Sequence, residues 1–341
     1  MLKNNKQFEE LKKEIQAEEL VPLGWEVIKS DKLLKMESPE AEFLVENLIP
    51  SSAITILAGN PGSGKSWLLL EIAKSVASNE LLFGKFNTKE VKVLYIDEES
   101  PLSEIQRRWR MLRPPPVTLV DFMPLQGFKI DNPEQRKALL SFTDWRNYKL
   151  IIFDSLRDIH SKNENDSQQT QELIDCFREF TRKGITVLIS HHNRKESFFN
   201  PREPSQILRG STAILAGIDS LLSVENPKFT KQVIELVISQ PKLRQGKPTS
   251  PFKVNLIEEE KKMKFKYTGE IEEETTKVER TKEAIIKLLK EGEKYQKEIV
   301  ESLIPLYFSE RTINRAIKEL KENKTIKPRK EKQRIYLSLA G

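Results

Sequence analysis

Residues 53–78, AITILAGNPGSGKSWLLLEIAKSVAS, contain the motif that decides the fold. An apolar run predicts a strand over residues 53–58, the pattern G-x-x-x-x-G-K-S follows at residues 59–66, and a helical pattern begins directly after it. In this context the loop is predicted to surround phosphate groups with backbone N–H groups, with Lys65 on the β- and γ-phosphates and Ser66 on Mg²⁺. The pattern therefore predicts a nucleoside triphosphate site built from Gly59, Asn60, Pro61, Gly62, Ser63, Gly64, Lys65 and Ser66.

Outward from this motif, β-rich runs alternate with helical patterns between about residue 49 and residue 268. The runs are AITILA, VKVLYI, LIIF, ITVLIS and SLLSVE. Such alternation predicts a parallel sheet with crossover helices. Three further runs with short loops between them, VIELVIS, PFKVNLI and KMKFKY, predict an antiparallel extension of the sheet edge. The expected fold class is α/β, with a twisted, mainly parallel sheet.

Two of the predicted strands end in carboxylates. Asp154 closes the apolar run at residues 150–153 and is suited to the magnesium shell, although it could also be a capping residue before a turn. The run VLYI leads into Asp97, Glu98 and Glu99, and a carboxylate beside the phosphate loop can activate the attacking water. The residues themselves leave open which of these three acids does so.

A third predicted strand, ITVLIS, ends in His191 and His192. A three-histidine metal site would have to use both of them and His160, because the chain has three histidines in total. The preferred interpretation is a polar side chain at the strand end that senses the γ-phosphate; a structural histidine pair is the alternative.

Composition separates a neutral body from a basic C-terminus. The formal net charge of the 341 residues is +6, and this excess lies within residues 281–341. A basic appendage on a neutral body is typical of a nucleic-acid-binding unit. The single cysteine, Cys176, excludes a disulfide framework and a cysteine-based metal site. No stretch approaches the ~18 apolar residues of a membrane span and no signal-like start is present, so we expect a cytoplasmic protein with no membrane contact.

The basic region, residues 281–341, has a helical pattern, a shorter one around residues 298–304, a third that begins after Ser309, and then two strand-like runs joined by a basic turn. Three helices and a β-hairpin resemble a winged helix. Its predicted DNA contacts on the third helix are Arg311, Asn314, Arg315 and Lys318, and those of the wing are Lys327, Arg329, Lys330, Lys332 and Arg334. A winged helix that binds a protein instead is the alternative. The predicted division of the chain is a lead-in at 1–48, an ATPase domain at 49–268, a charged linker at 269–280 and the winged helix at 281–341.

Taken in order, these motifs resemble the RecA-type ATPases, specifically the RepA-like and DnaB-like hexameric helicases. The residues that carry the resemblance lie between about 49 and 260: GNPGSGKS, YIDEESP…EIQRRW, LIIFDSLRDIH, LISHHNRK, LRGSTAI and ISQPKLRQG. The resemblance implies ATP as the nucleotide and active sites shared between neighbouring subunits of a ring. It also implies Glu99 as the catalytic acid, with Glu98 still an alternative, Arg108 near the adenine and His191 as the sensor.

Residues 239–246, SQPKLRQG, contain two basic residues at alternate positions, Lys242 and Arg244. By itself the stretch is compatible with a solvated hairpin turned by Pro241 and Gly246. The resemblance implies that Lys242 and Arg244 are instead a Lys-x-Arg pair that one subunit donates to the γ-phosphate of its neighbour.

Residues 193–209 form a long, basic, proline-punctuated segment between two predicted strands. Adjacent phenylalanines in such a segment are suited to stacking on the bases of single-stranded DNA, although they could also pack on the protein itself. The predicted contacts are Arg194, Lys195, Phe198, Phe199, Arg202 and Arg209.

The combined prediction is a homo-oligomeric, hexameric ATP-dependent DNA helicase or translocase of a replication system, with single-stranded DNA in the ring and double-stranded DNA at the winged helix. A primase, polymerase or initiator is the expected kind of protein partner. Two alternatives stay open: a KaiC-like regulatory ATPase or recombination mediator that does not unwind DNA, and an initiator or adaptor in which ATP only gates assembly.

Overall fold

The computed structural model describes residues 28–35, 41–116, 118–193, 212–229, 233–271, 273–306, 308–332 and 334–340. The chain divides into two units, Met1–Glu40 and Ala41–Gly341. In the first unit the described segment contains the short helix α1 (Ser30–Lys35). The second unit already includes the hairpin of β1 (Phe43–Val45) and β2 (Ile49–Pro50), so part of the predicted lead-in belongs to the larger unit.

A nine-stranded sheet forms the body of the second unit, and its strand order is β11-β10-β9-β8-β3-β7-β6-β4-β5. Six strands run parallel: β3 (Ile54–Gly59), β4 (Val93–Asp97), β5 (Val120–Pro124), β6 (Leu150–Asp154), β7 (Thr186–His192) and β8 (Ser220–Phe229). The three remaining strands extend the sheet in antiparallel fashion: β9 (Val233–Leu243), β10 (Phe252–Glu259) and β11 (Lys262–Glu270). The predicted fold class, α/β with a mainly parallel sheet and an antiparallel edge extension, is confirmed.

Helices connect the parallel strands and bury both faces of the sheet. They are α2 (Lys65–Ser78), α3 (Leu102–Leu112), α4 (Pro133–Arg146), α5 (Ser167–Thr181) and α6 (Thr212–Gly217). Strands β3, β4, β6 and β7 are fully or almost fully buried, as the continuous apolar runs in the sequence predict for a sheet covered on both sides. One apolar cluster lies on the face of α2, and the other lies on the face of α5. Both layers hold the carboxyl ends of the parallel strands in place.

The C-terminal part of the second unit has its own apolar cluster. It consists of α7 (Glu273–Lys290), β12 (Lys294–Tyr295), α8 (Gln296–Leu303), α9 (Glu310–Glu322), β13 (Ile326–Glu331) and β14 (Arg334–Leu339). The three strands pair in the order β12-β14-β13. Three helices with a hairpin agree with the element order on which the winged-helix prediction depends, and the DNA-binding role remains a prediction.

The stretch interpreted from its charge as a linker, residues 269–280, has regular structure instead. Strand β11 continues to Glu270 and α7 begins at Glu273. The physical reason is that Val278, Ile285 and Leu289 recur at helical spacing and are buried in the C-terminal cluster. Lys277, Glu279 and Arg280 are exposed on the same helix. Among the described residues, no helix is long and apolar enough to cross a membrane.

Candidate active site

The phosphate loop, residues 59–64, joins the end of β3 to the start of α2, as the sequence predicts. Gly62 and Gly64 have φ angles of 75° and 87°, in the left-handed region that side chains disfavour. Gly59 is needed for a different reason, because a Cβ atom there would lie 2.5 Å from Ser63 Oγ and 2.9 Å from Val224 O. The N-terminus of the 14-residue helix α2 points its backbone N–H groups into this loop, an arrangement suited to phosphate.

Lys65 is the first residue of α2 and is 8% exposed. Its Nζ donates to the carbonyl oxygens of Gly59 at 3.0 Å and Asn60 at 3.1 Å, so the ammonium closes the loop on itself. Burial lowers the pKa of Lys65, while the negative charges of Asp154 and Glu99 act in the opposite direction. Ser66 follows in the same helical turn and is half-buried. The cation and both predicted acids therefore share one electrostatic environment.

Asp154 lies at the end of β6, 2% exposed, and in register with Asp97 at the end of β4. Its Oδ2 accepts a hydrogen bond from the Tyr95 hydroxyl at 3.0 Å and its Oδ1 accepts one from Ser190 Oγ. Asp97 Oδ1 in turn accepts the backbone N–H groups of residues 99 and 100. Burial and then the charge of Asp154 raise the pKa of Asp97 to about 6. These bonds fix the Asp154 carboxylate and the acidic loop beside it.

The structure separates the roles of Glu98 and Glu99, which the sequence left open. The carboxylate of Glu98 accepts the backbone N–H groups of Gln126 at 3.0 Å, Gly127 at 2.9 Å and Phe128 at 3.1 Å. It therefore holds the loop that follows β5. Glu99 instead lies among the charges of the phosphate site: partial burial, Asp154 and Asp158 raise its pKa, and Lys65 and Arg108 act against them.

Arg108 lies on α3, where its Nε is 2.8 Å from Glu104 Oε1. Its charge also acts on Glu99 and on Tyr95. The neighbouring Arg107 lies over the ring of Trp67, with 6.0 Å between the guanidinium carbon and the ring centroid. Arg107 of α3 therefore lies beside the first turn of α2, and Arg108 lies near the acidic loop after β4.

The two strand-end histidines lie on opposite faces of β7. Because side chains alternate along a strand, His192 shares the face of Ser190, which bonds to Asp154. His192 is paired in register with Gly59, and burial followed by the charge of Lys65 lowers its pKa. His191 is 1% exposed, with its Nε2 3.9 Å from Glu164. The sequence interpretation named His191 as the sensor; by alternation the residue that faces the phosphate loop is His192.

His191 belongs instead to a polar cluster with Glu164 and His160. His160 Nδ1 accepts the backbone N–H of Lys162 at 3.1 Å, so its Nε2 carries the proton that faces Glu164 Oε1 at 3.2 Å. No group of three or more His, Cys, Asp or Glu side chains in the described parts of the chain could hold a metal ion. The cluster joins the loop after β6 to the end of β7.

Lys242 and Arg244 lie at the opposite end of the parallel strands from the phosphate loop of the same chain. Lys242 is paired with Leu221, Ser220 with Thr55, and Val224 with Gly59, so the pair lies near the start of β3 and Gly59 lies at its end. Four residues of extended strand separate these levels by ~13 Å. Pro241, predicted in a turn, lies within β9 at a bulge beyond the last residue that pairs with β10.

The predicted DNA contacts divide into two groups. Residues 194–211, which contain Arg194, Lys195, Phe198, Phe199, Arg202 and Arg209, lie outside the described residues. On α9 the predicted contacts are exposed opposite the buried stripe of Ile313, Ala316, Ile317 and Leu320; they are Arg311, Asn314, Arg315 and Lys318.

Acidic neighbours already hold several of these basic groups. Arg329 of β13 pairs with Glu293 at 2.7 Å and Glu331 at 2.8 Å, and Arg315 pairs with Glu319 at 3.1 Å. Lys327, Lys330, Lys332 and Arg334 are exposed, and the guanidinium carbon of Arg334 lies 5.7 Å from the centroid of the Tyr295 ring. The basic surface of this unit is therefore partly neutralised from within.

The residues that hold the site residues in place were not predicted from the sequence. Ser190 and Tyr95 anchor Asp154, and Asp219 contacts both Arg178 and Arg244. Alternation along β4 and β7 could have indicated Tyr95 and Ser190, since each lies two residues before a strand-end residue of the site. The position of Asp219 depends on contacts between distant segments and has no comparable signal.

Residues 17–197 match the family profile AAA_25, described as an AAA domain. Among curated proteins, the DNA repair proteins RadA of two Helicobacter pylori strains are 26% and 24% identical to this chain over 210 and 192 residues. These matches cover 56% and 51% of this chain but 40% and 37% of the relatives, so the chain spans about two fifths of their length.

Two solved structures are similar at low identity. The flagellar accessory protein FlaH from Methanocaldococcus jannaschii has a TM-score of 0.44 and 16% identity, covering 66% of this chain and 92% of that chain. A KaiC-like protein from Pyrococcus horikoshii has a TM-score of 0.47 and 11% identity, covering 68% of this chain and 98% of that chain.

Proposed function

The chain belongs to the AAA domain family AAA_25, a RecA-like P-loop ATPase family, and from this premise we propose that it moves along single-stranded DNA by hydrolysing ATP as a ring of identical subunits. The observation that carries the proposal is the separation between the phosphate loop and the pair Lys242–Arg244. These two cations lie at the level where β3 begins, whereas their own Gly59 and Lys65 lie at its carboxyl end. Their chemistry is useful to a phosphate group only if that phosphate belongs to another subunit.

Within one subunit the proposed chemistry uses Lys65, Glu99 and Asp154. Glu99 accepts a proton from the attacking water, and its raised pKa makes it a stronger base than an ordinary glutamate. Lys65 holds the β- and γ-phosphates at the N-terminus of α2. The Ser66 hydroxyl and, through water, the fixed Asp154 carboxylate have the oxygen donors that Mg²⁺ prefers, and Mg²⁺ supplies charge neutralisation on those phosphates when bound.

His192 is the residue we propose beside the γ-phosphate, in place of His191. Its buried Nδ1 has no hydrogen-bond partner among the described residues, and its lowered pKa keeps the ring neutral near pH 7. A neutral imidazole can donate to a phosphate oxygen from one nitrogen. The predicted DNA-binding segment, residues 193–209, follows directly along the chain.

The matching test compares His192→Ala with His191→Ala. We expect His192→Ala to lower the rate of hydrolysis about 10²-fold with little change in ADP affinity. His191→Ala should chiefly lower the melting temperature, because the side chain is buried beside Glu164. The opposite assignment of effects would return the sensor role to His191.

In the proposed ring, Arg244 stabilises the charge that develops on the neighbour's γ-phosphoryl group, and Lys242 assists it. Single-stranded DNA would occupy the centre of the ring, against the segment that contains Phe198 and Phe199. Duplex DNA would contact the exposed face of α9 and the wing. A primase, polymerase or initiator as replication partner stays a prediction.

The experiment that tests the proposed function has three readouts on the purified full-length chain. We expect oligomers with an ATP analogue by mass photometry, ATP hydrolysis stimulated by single-stranded DNA, and displacement of a strand from a forked duplex with a single 5′ or 3′ tail. Arg244→Ala should bind ATP normally and hydrolyse it about 10³-fold more slowly. A monomer with full activity, or normal hydrolysis by Arg244→Ala, would refute the shared site.

A second candidate function is a recombination or repair ATPase that binds DNA without unwinding it. The observation that favours it is the similarity to the DNA repair proteins RadA, over 56% of this chain in the longer match. DNA-stimulated hydrolysis without strand displacement on either tail would support this function over the helicase.

A further inference from the structure

We propose that Asp219 is a positioning residue that, together with the last turn of α6, holds Lys242 and Arg244 in the orientation from which they reach the neighbouring subunit's ATP. The inference rests on the proposed function, because it assumes that these two cations act in a neighbouring site. It identifies Asp219 and the last turn of α6 as the part of the donor subunit that presents the two cations. Asp219 itself would contact neither the nucleotide nor the attacking water.

Both cations bind to one small region of their own chain. Lys242 Nζ donates to the carbonyl oxygen of Leu215 at 2.5 Å, and Arg244 Nη2 donates to that of Ala216 at 2.5 Å. Arg244 Nη1 lies 3.4 Å from Asp219 Oδ1. The backbone N–H of Arg244 also donates to the Asp219 carbonyl at 2.9 Å. Arg244 is therefore tied through both its backbone and its side chain.

The Asp219 carboxylate is itself rigidly held. Its side chain is 7% exposed, and it accepts two hydrogen bonds from Arg178, with Nη1 at 2.6 Å from Oδ2 and Nη2 at 3.0 Å from Oδ1. Its Oδ2 also accepts the backbone N–H of Ile54 at 2.8 Å, at the start of β3. A carboxylate held by these three hydrogen bonds can orient a further guanidinium group without moving.

Charge balance explains why one acid is placed among three cations. Arg178, Lys242 and Arg244 would repel one another: burial lowers the pKa of Lys242, and the charges of Arg244 and Arg178 act in the same direction. The negative charge of Asp219 offsets this repulsion, and carbonyl groups at the C-terminal end of a helix favour cations. The Arg244 side chain is still 49% exposed, so it is oriented yet accessible to a neighbour. A side chain restricted in this way loses less entropy when it engages phosphate.

A purely structural role for Asp219 is the competing explanation, since Asp219 also fixes the start of the strand that leads to the phosphate loop. The two explanations differ in which subunit is damaged by Asp219→Asn. Positioning predicts a defect in the ATP site of the neighbouring subunit, which receives Lys242 and Arg244 from the substituted chain. A structural role predicts a defect in the ATP site of the same chain that carries the substitution.

The experiment mixes variants of the full-length chain. Asp219→Asn alone should hydrolyse ATP about 10- to 100-fold more slowly, with unchanged affinity for a fluorescent ATP analogue. In an equal mixture with Lys65→Ala subunits, each ATP site takes its phosphate loop from one subunit and its Lys242–Arg244 pair from the next, because the subunits pack head to tail. About a quarter of the interfaces then combine an intact phosphate loop with an intact donor. Hydrolysis should then recover to about a quarter of the wild-type rate, above that of either variant alone. Asp121→Asn, the same change at an exposed acid of β5 that pairs with Lys92, is the matched control and should leave hydrolysis unchanged.

Arg244→Ala mixed with Lys65→Ala separates failure of the inference from failure of the proposed function. If this mixture does not recover, the neighbouring-subunit role of Arg244 is refuted. If it recovers and the Asp219→Asn mixture does not, the positioning role is refuted. As a second measurement, Asp219→Asn should cause no further loss in an Arg244→Ala background, whereas a structural role predicts additive losses.

Discussion

Replacing Glu98 and Glu99 one at a time should produce two different kinds of defect from adjacent acids. Glu98 accepts three backbone N–H groups from the loop after β5, whereas Glu99 lies among the charges of Lys65 and Asp154. Glu98→Ala removes a structural anchor. Glu99→Gln removes only the base, because glutamine has nearly the shape of glutamate.

The size of the Glu98 effect follows from its three acceptor contacts. The hydrogen bonds from Gln126 and Gly127 are exposed, so their N–H groups return to water at a cost of about 0.5–1 kcal/mol each. The N–H of Phe128 is partly buried, and its loss costs about 1.5–3 kcal/mol. Glu98→Ala should therefore lower the free energy of unfolding by about 3 kcal/mol, equivalent to a melting temperature lower by about 6 °C.

The size of the Glu99 effect is that of losing a general base, about 10²–10⁴-fold in the rate of hydrolysis. Its melting temperature should stay near that of the wild type, since the raised pKa indicates that the ionised carboxylate is not well accommodated. Both variants are assayed by thermal unfolding, by binding of a fluorescent ATP analogue and by phosphate release at saturating ATP. Normal hydrolysis by Glu99→Gln, or loss of hydrolysis without loss of stability in Glu98→Ala, would refute the assignment.

Three further predictions concern the loop, the acidic strand end and the wing. Gly59→Ala should weaken ATP binding at least about tenfold in a titration, because its Cβ would lie 2.5 Å from Ser63 Oγ; unchanged affinity would contradict this. The pKa of Asp97 is raised to about 6, so its ionised carboxylate destabilises the fold above that pH. This destabilisation disappears as the pH falls toward 4 and the carboxylate becomes protonated. Asp97→Asn should thus be more stable than wild type by about 2 kcal/mol at pH 8 and equal to it at pH 4 in urea unfolding. Glu293→Gln frees Arg329 and should tighten duplex DNA binding about threefold by fluorescence anisotropy at low salt; no change would argue against a DNA-binding wing.

Much of the site could be predicted from the sequence because its residues are adjacent along the chain or end predicted strands. The phosphate loop depends on local spacing alone, and Asp154 follows a continuous apolar run that could only be a buried strand. Parallel strands bring their carboxyl ends to one edge, so finding these ends in the sequence also brought their acids together. The helix from residue 281 onward was predicted, but the first turns of α7 were interpreted as a linker because Val278 stands among charged residues and is seen to be buried only in the structure.

The choice between neighbouring residues could not be made from sequence. Glu98 and Glu99, or His191 and His192, have the same chemistry, and a shift of one residue along a strand turns a side chain to the other face of the sheet. Which histidine faces the phosphate loop depends on the pairing of β7 with β3. Which of the two acids is held away from it depends on the loop that packs against Glu98. Local spacing therefore determined that a nucleotide site exists and where its loop lies. The register between distant strands decided which histidine lies on the face of that loop, and it placed Lys242 and Arg244 ~13 Å along the strands from the level of Gly59.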